Sequence, residues 1–230
     1  MKAMKSPQQG FTLIELMIVV AILAIIASMA IPSLLSSKVA ANQSNAVTSL
    51  RNLVTAQSQF RTLGSVDADS DGSGEYGTFA ELSGAVALNL RGGAGVPFPL
   101  DPPILAPPFE QVDAQGRATK SGYYLMIFLP DVNFEGIAEA ANGGPAAGID
   151  ADACEYTWSA YAFPVEAGST GGMAYYIDHR GEILVTRMDS TIYDSSSSPV
   201  FNAALSGPNM TSPLAIDGNV ATDTNSWAPL

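Results

Sequence analysis

An apolar run, FTLIELMIVVAILAIIASMAI, occupies residues Phe11 to Ile31 and carries a single charge, Glu15. A stretch of about 20 apolar residues suits a helix that crosses a bilayer. Continued to Leu35, such a helix rises roughly 37 Å at 1.5 Å per residue, enough to span the hydrocarbon. A carboxylate at the centre of a membrane helix costs about 3 kcal/mol even on lenient insertion scales, so Glu15 needs a reason to be there.

Three readings compete for this segment. In a plain signal anchor, Glu15 sits near the interface, in the first turn, where the helix dipole favours an anion. In a secretory signal peptide, Ser28 and Ala30 supply small residues for cleavage before Ile31. That reading leaves Glu15 unexplained, the apolar run too long and Pro32 too close to the cut.

The third reading rests on Gly10-Phe11-Thr12-Leu13-Ile14-Glu15, behind a short leader with Lys2 and Lys5 and no acid. This junction resembles the processing site of type IV prepilins and of the related pseudopilins of type II secretion. The resemblance is close from Met1 to about Leu35 and holds in character over the helix that follows. It implies removal of the leader after Gly10 by a prepilin peptidase and N-methylation of the new N-terminal residue, Phe11. It also implies that Glu15 pairs with the Phe11 ammonium of a neighbouring subunit in a fibre. An ion pair in lipid is far less costly than an isolated charge, and it would fix the axial register. Pro32 matches a proline common in the family at this mature position. Implied partners are other pilin or pseudopilin subunits, an inner-membrane assembly platform with its ATPase, and membrane lipid. The leader's positive charge places the N-terminus in the cytoplasm and the head outside, in the periplasm.

Beyond Pro32, Val39, Ala46, Leu50, Leu53 and Phe60 recur at helical steps, with Val47 and Val54 widening the stripe. Asn42, Ser44, Ser49, Asn52 and Gln59 lie mostly elsewhere, and Gly64 is a stop signal. The expected organisation is therefore a leader over 1–10, a membrane and polymerisation helix over 11–35, an amphipathic helix over 36–63 and a head over 64–230. The fold class is α+β and pilin-like, with the long helix packed against a small antiparallel sheet.

Within the head, "DADSDGSGEYG" places Asp67, Asp69 and Asp71 ahead of Gly72, like the first half of an EF-hand loop. The match then fails, because the twelfth loop position is Thr78. The plain reading is a solvated turn; the sharper alternative is a weak calcium (Ca2+) site using Asp67, Asp69, Asp71 and Glu75. No other cofactor is expected. A Gly/Pro-rich connection follows over Gly84 to Pro108, with at most one short helix near Phe79 to Leu82. Ser121 to Pro130 and Glu155 to Pro164 read as strands, and Met173 to Arg187 as a hairpin turning through Asp178 to Gly181. Three or four strands would cover the helix. The Ser/Asn/Thr/Pro-rich tail from Asp189 is open between a loop laid over the sheet and a disordered end.

The net charge is −12, and of 22 acids all but Glu15 lie at or beyond Asp67. A head this acidic repels phosphate backbones, which argues against direct nucleic-acid binding by it. The lone Cys154 allows no internal disulfide and reads as a small buried hydrophobe, with an intermolecular bridge as the alternative. His179, in a turn, has no metal-ligand spacing to Cys154. The cluster Asp150, Asp152 and Glu155 reads as a solvated loop. With no phosphate loop or nucleophile elbow, the chain is expected to be a non-enzymatic fibre subunit. The alternative is a membrane-anchored or released binding or adhesion protein that uses the same leader without polymerising.

Overall fold

Helix α1 runs from Leu13 to Leu63 without interruption, through Pro32. Proline removes one backbone donor, yet the helix continues, so Pro32 does not end it. Around it Ser28, Ser36 and Ser37 donate their hydroxyls to the carbonyls of Ile25, Pro32 and Ser33. The computed structural model describes residues 11–89, 91, 97–141, 143–216 and 218–230. The leader expected over 1–10, with Gly10, lies outside the described residues. The chain divides into two compact units, Met1–Lys38 and Val39–Leu230.

The second unit contains the amphipathic part of α1. Ala46, Leu50, Leu53, Ala56 and Phe60 are buried there, matching the stripe in the sequence. Three polar residues are buried with them. Asn42 donates to the Thr170 carbonyl at 2.9 Å. Gln57 both donates to the Gly77 carbonyl (2.7 Å) and accepts its N–H (2.9 Å). Ser49 donates to the Asn45 carbonyl within the helix. Buried amides survive only when satisfied, and the Gln57 pair acts as a backbone-like bridge from α1 to the following loop. Gly64 ends the helix at φ +58°, a conformation that disfavours a Cβ.

Among the described residues seven antiparallel strands follow: β1 (Arg117–Lys120), β2 (Tyr123–Pro130), β3 (Gly136–Ala138), β4 (Ser159–Pro164), β5 (Ala174–Asp178), β6 (Leu184–Thr186) and β7 (Ala228–Pro229). Their order is β1-β2-β4-β5-β6-β7, with β3 pairing beside β2. The α+β, pilin-like architecture is as expected, but the sheet is larger than three or four strands. β1 was hidden by its polar sequence. Ser121 and Gly122, both at positive φ, close the two-residue turn that pairs Lys120 with Tyr123.

The central strands are buried on both faces, which explains the unbroken apolar runs in β2 and β4. Tyr123, Leu125, Ile127, Ala160, Ala162, Tyr175 and Ile177 share one core with α1. Met126, Phe128, Tyr161, Phe163, Ala174 and Tyr176 face the other way, into a second core. That core is completed by Tyr193, Leu205, Met210, Leu214 and Trp227, so the tail from Asp189 is laid over the sheet.

One predicted strand is corrected. Residues Ala151–Tyr156 form a helix, α3, and only Ser159 onward is strand. Asp150 caps α3 by accepting the Ala153 N–H at 3.0 Å, a start signal that outweighed the aromatic pattern behind it. Cys154 on this helix is free and fully buried, so the intermolecular bridge is not open to the folded head. Burial pushes its thiol up to about 12.

Candidate assembly segment and acidic loop

The start of α1 is a capping box. The N–H and hydroxyl of Thr12 both donate to Glu15 Oε2, at 2.9 and 2.6 Å, and the Glu15 N–H donates back to Thr12 Oγ1 at 3.3 Å. Threonine at the cap with glutamate three residues on satisfies two otherwise orphaned groups. The signal was in the sequence as Thr-x-x-Glu before an apolar run. Glu15 thus has a local role in starting α1, and Phe11 stands just ahead of the cap.

From Leu13 to Leu35 no side of the helix is covered by the other described residues. Ile18, Val19 and Val20 point about 100° apart around the axis, yet are 55%, 49% and 53% exposed. An apolar surface open all round must be met by lipid or by other helices. Among the described residues this is the one helix long and apolar enough to cross a membrane.

At the other end of α1, Asp67, Asp69 and Asp71 bring carboxylate oxygens within 4.8 Å of one another. Asp67 accepts the N–H groups of Asp71 and Gly72, both at 3.1 Å, and Asp71 accepts that of Ser73 at 2.7 Å. Glu75, expected as the fourth member, is turned away. Its Oε1 accepts the Ala68 N–H at 2.7 Å and its Oε2 pairs with Arg91 at 2.9 Å. Glu81 holds the other side of the same guanidinium. Burial pulls Arg91 down, but Glu81 and Glu75 more than offset it and keep it charged. Glu75 therefore belongs to a buried ion network, where alternation along the sequence would not have placed it. In its stead α3 supplies Asp152 and Glu155, which form a second close group with Asp69. These acids lie on a helix, not in a solvated loop.

Near this network Glu139, 4% exposed, accepts the N–H groups of Phe79, Ala80 and Gly144, each at 2.9 Å. This anchors the short helix α2 (Phe79–Leu82) to the segment after β3. Burial pushes the carboxyl up to about 7 from an ordinary 4.5, against the pull of the three donors. A raised folded-state value means the folded protein holds the proton more tightly. The stabilisation is complete below about pH 4.5 and is lost as the pH rises through 7. This group should cost about 3 kcal/mol across that window. Unfolding midpoints between pH 5 and 8 should show the fall. Glu139→Gln should flatten it, at a constant cost from its amide facing a backbone N–H. An unchanged slope in the variant would assign the pH dependence elsewhere.

His179 Nδ1 lies 2.9 Å from the Thr157 hydroxyl, tying the end of β5 to the segment before β4.

Residues 5–31 match the family model of the prokaryotic N-terminal methylation motif. The N-terminal segment is of the prepilin type. The chain is 41% identical over 87 residues to the type IV major pilin protein PilA of Myxococcus xanthus, covering 38% of this chain and 39% of that one. It is 44% identical over 71 residues to the type II secretion system core protein G of Vibrio cholerae, covering 31% of this chain and 48% of that one. The alignments thus span less than half of either relative. No solved structure gives a significant match. Pilin and pseudopilin likeness, methylation motif and apolar helix agree with the resemblance carried by Gly10 to Glu15, and they support membrane anchoring.

Proposed function

We propose that this protein is a non-enzymatic structural subunit of a type IV pilus or a type II secretion pseudopilus. The observation that carries the reading is the apolar half of α1, open on all sides behind a methylation motif. In this reading a prepilin peptidase cuts after Gly10 and methylates Phe11. The chain waits in the inner membrane with its head in the periplasm. On assembly the helix leaves lipid for a bundle of like helices, and an ammonium on Phe11 meets Glu15 of a neighbour. Both surroundings solve the same problem, since each covers an apolar surface that the described residues leave open. An assembly platform and its ATPase would supply the work, and the acidic head would form the outer surface.

The test is the N-terminal sequence and intact mass of the protein taken from its own membrane. A chain beginning at Phe11 with one added methyl group is the expected result. A chain beginning at Ile31 would mean a secreted protein and would end the fibre reading. A processed chain that never enters a fibre would favour a membrane-anchored binding protein instead.

A further inference from the structure

Five carboxylates from two distant parts of the sequence converge beside the end of α1. Asp67, Asp69 and Asp71 form one group; Asp69, Asp152 and Glu155 form the other; Asp69 belongs to both. Within each group an oxygen from every member lies within 4.8 Å of the others. The loop is docked to α3 by the Tyr76 N–H, which donates to the Cys154 carbonyl at 3.0 Å. The convergence therefore belongs to the folded head and not to one flexible loop.

Acids on a surface gather without consequence when water screens each of them. Glu155 is not in that position. It is 6% exposed, and its Oε1 is buried with no hydrogen-bond partner among the described residues. A buried carboxylate oxygen left unpaired is costly. Burial first, and then Asp71 and Asp69, push the Glu155 carboxyl upward, against the pull of a Ser73 hydrogen bond. Arg61 counters this only in part. Its guanidinium donates to the Gly74 carbonyl at 3.3 Å and lies over the Tyr76 ring. What the cluster lacks is a compact positive charge. An all-oxygen set with adaptable carboxylates suits calcium, whereas zinc prefers nitrogen and sulfur, and magnesium a stricter octahedron.

We propose that the loop acids Asp67, Asp69 and Asp71 and the α3 acids Asp152 and Glu155 form a calcium site, with Asp69 shared between them. The ion clips the loop after α1 to α3 and supplies the partner that Glu155 Oε1 lacks. The site differs from an EF-hand because its closing glutamate comes from a separate helix and not from the end of the loop.

The full-length protein, in detergent micelles and stripped with a chelator, is titrated with calcium chloride by calorimetry and by thermal unfolding. One calcium per chain is expected, with a dissociation constant on the order of 10⁻⁴ to 10⁻³ M and a rise in Tm. Asp69→Asn and Glu155→Gln should each weaken binding at least tenfold (roughly), and magnesium should raise Tm less than calcium does. The exposed Asp152→Asn gives the same readout should Glu155→Gln fail to fold. No heat and no shift up to about 10 mM calcium would overturn the site. So would an equal response to magnesium, or undiminished binding in the α3 variants. The assay reads a solubilised single chain, so its failure leaves the fibre reading standing, and a failure of fibre assembly leaves this site standing.

Discussion

Glu15→Ala is expected to leave the protein inserted in the membrane and cut after Gly10, yet reduce its recovery in sheared fibres about a hundredfold. Alanine removes two things at once. One is the capping box with Thr12, which typically stabilises a helix start by about 1 kcal/mol. The other is the charge that would meet the Phe11 ammonium of a neighbouring subunit. Loss of a partner for a charge in hydrocarbon costs several kcal/mol, enough for two orders of magnitude in an equilibrium. Glu15→Gln separates the two effects. Glutamine is accepted at this position of a capping box but carries no charge, so it should restore the helix start and not the assembly. Immunoblots of sheared and membrane fractions read both outcomes. Fibres of the glutamine variant at wild-type level would show that capping alone explains Glu15. Fibres of the alanine variant at that level would remove any assembly role.

Removing the tail after Asp189 is expected to abolish cooperative unfolding of the head. The deletion strips Tyr193, Leu205, Met210, Leu214 and Trp227 from the second core and takes β7 from the edge of β6. It lays bare Met126, Phe128, Tyr161, Phe163 and Tyr176 on the outer face of the sheet. The tail is also held to the sheet by the Tyr161 hydroxyl. The Ala204 N–H donates to the Tyr161 hydroxyl at 3.0 Å, and that hydroxyl donates to the Phe201 carbonyl at 3.2 Å. Within the tail itself, Asn225 accepts the N–H groups of Ser190 and Thr191 at 2.8 and 2.9 Å, tying its two ends together. Domains have only about 5–15 kcal/mol to spare, and uncovering one whole face exceeds that. Trp227→Ala is the milder version. It should cost about 3–5 kcal/mol and lower Tm by about 10 °C, since the indole packs edge-on to Tyr161 at 6.1 Å. A truncated chain that melts with the native midpoint would mean that the tail is ornament.

The parts of the chain that were legible in the sequence are those governed by near neighbours. Helical spacing marked Ala46, Leu50, Leu53 and Phe60, and all are buried. The short helix expected at Phe79 to Leu82 is there, with Thr78 and Glu81 forming its capping box. The hairpin through Gly181 is there as well. The misses share one cause. β1 is polar on its surface and exists because β2 pairs with it, and α3 follows from one capping aspartate against a strand-like pattern. Asn42 and Ser49 looked like the wet side of the helix; the burial of Asn42 depends on the Thr170 carbonyl that meets it, and Gln57, which helical spacing did not single out, is buried against the Gly77 backbone.

Local chemistry settled that an apolar helix begins at the Thr12–Glu15 cap, that it turns amphipathic after Pro32, and that an acidic α+β head follows. Periodicity, capping and charge act over a few residues, so a linear reading finds them. Only the tertiary structure decided that the sheet has a second core under the tail, that Glu75 turns inward to Arg91, and that Glu155 takes its place beside Asp69. Those outcomes depend on which carboxylate finds a buried cation and which apolar face finds a cover. Both questions are answered beyond the reach of local pattern: Arg91 lies 16 positions from Glu75, and the tail that covers the sheet lies dozens of positions from β2.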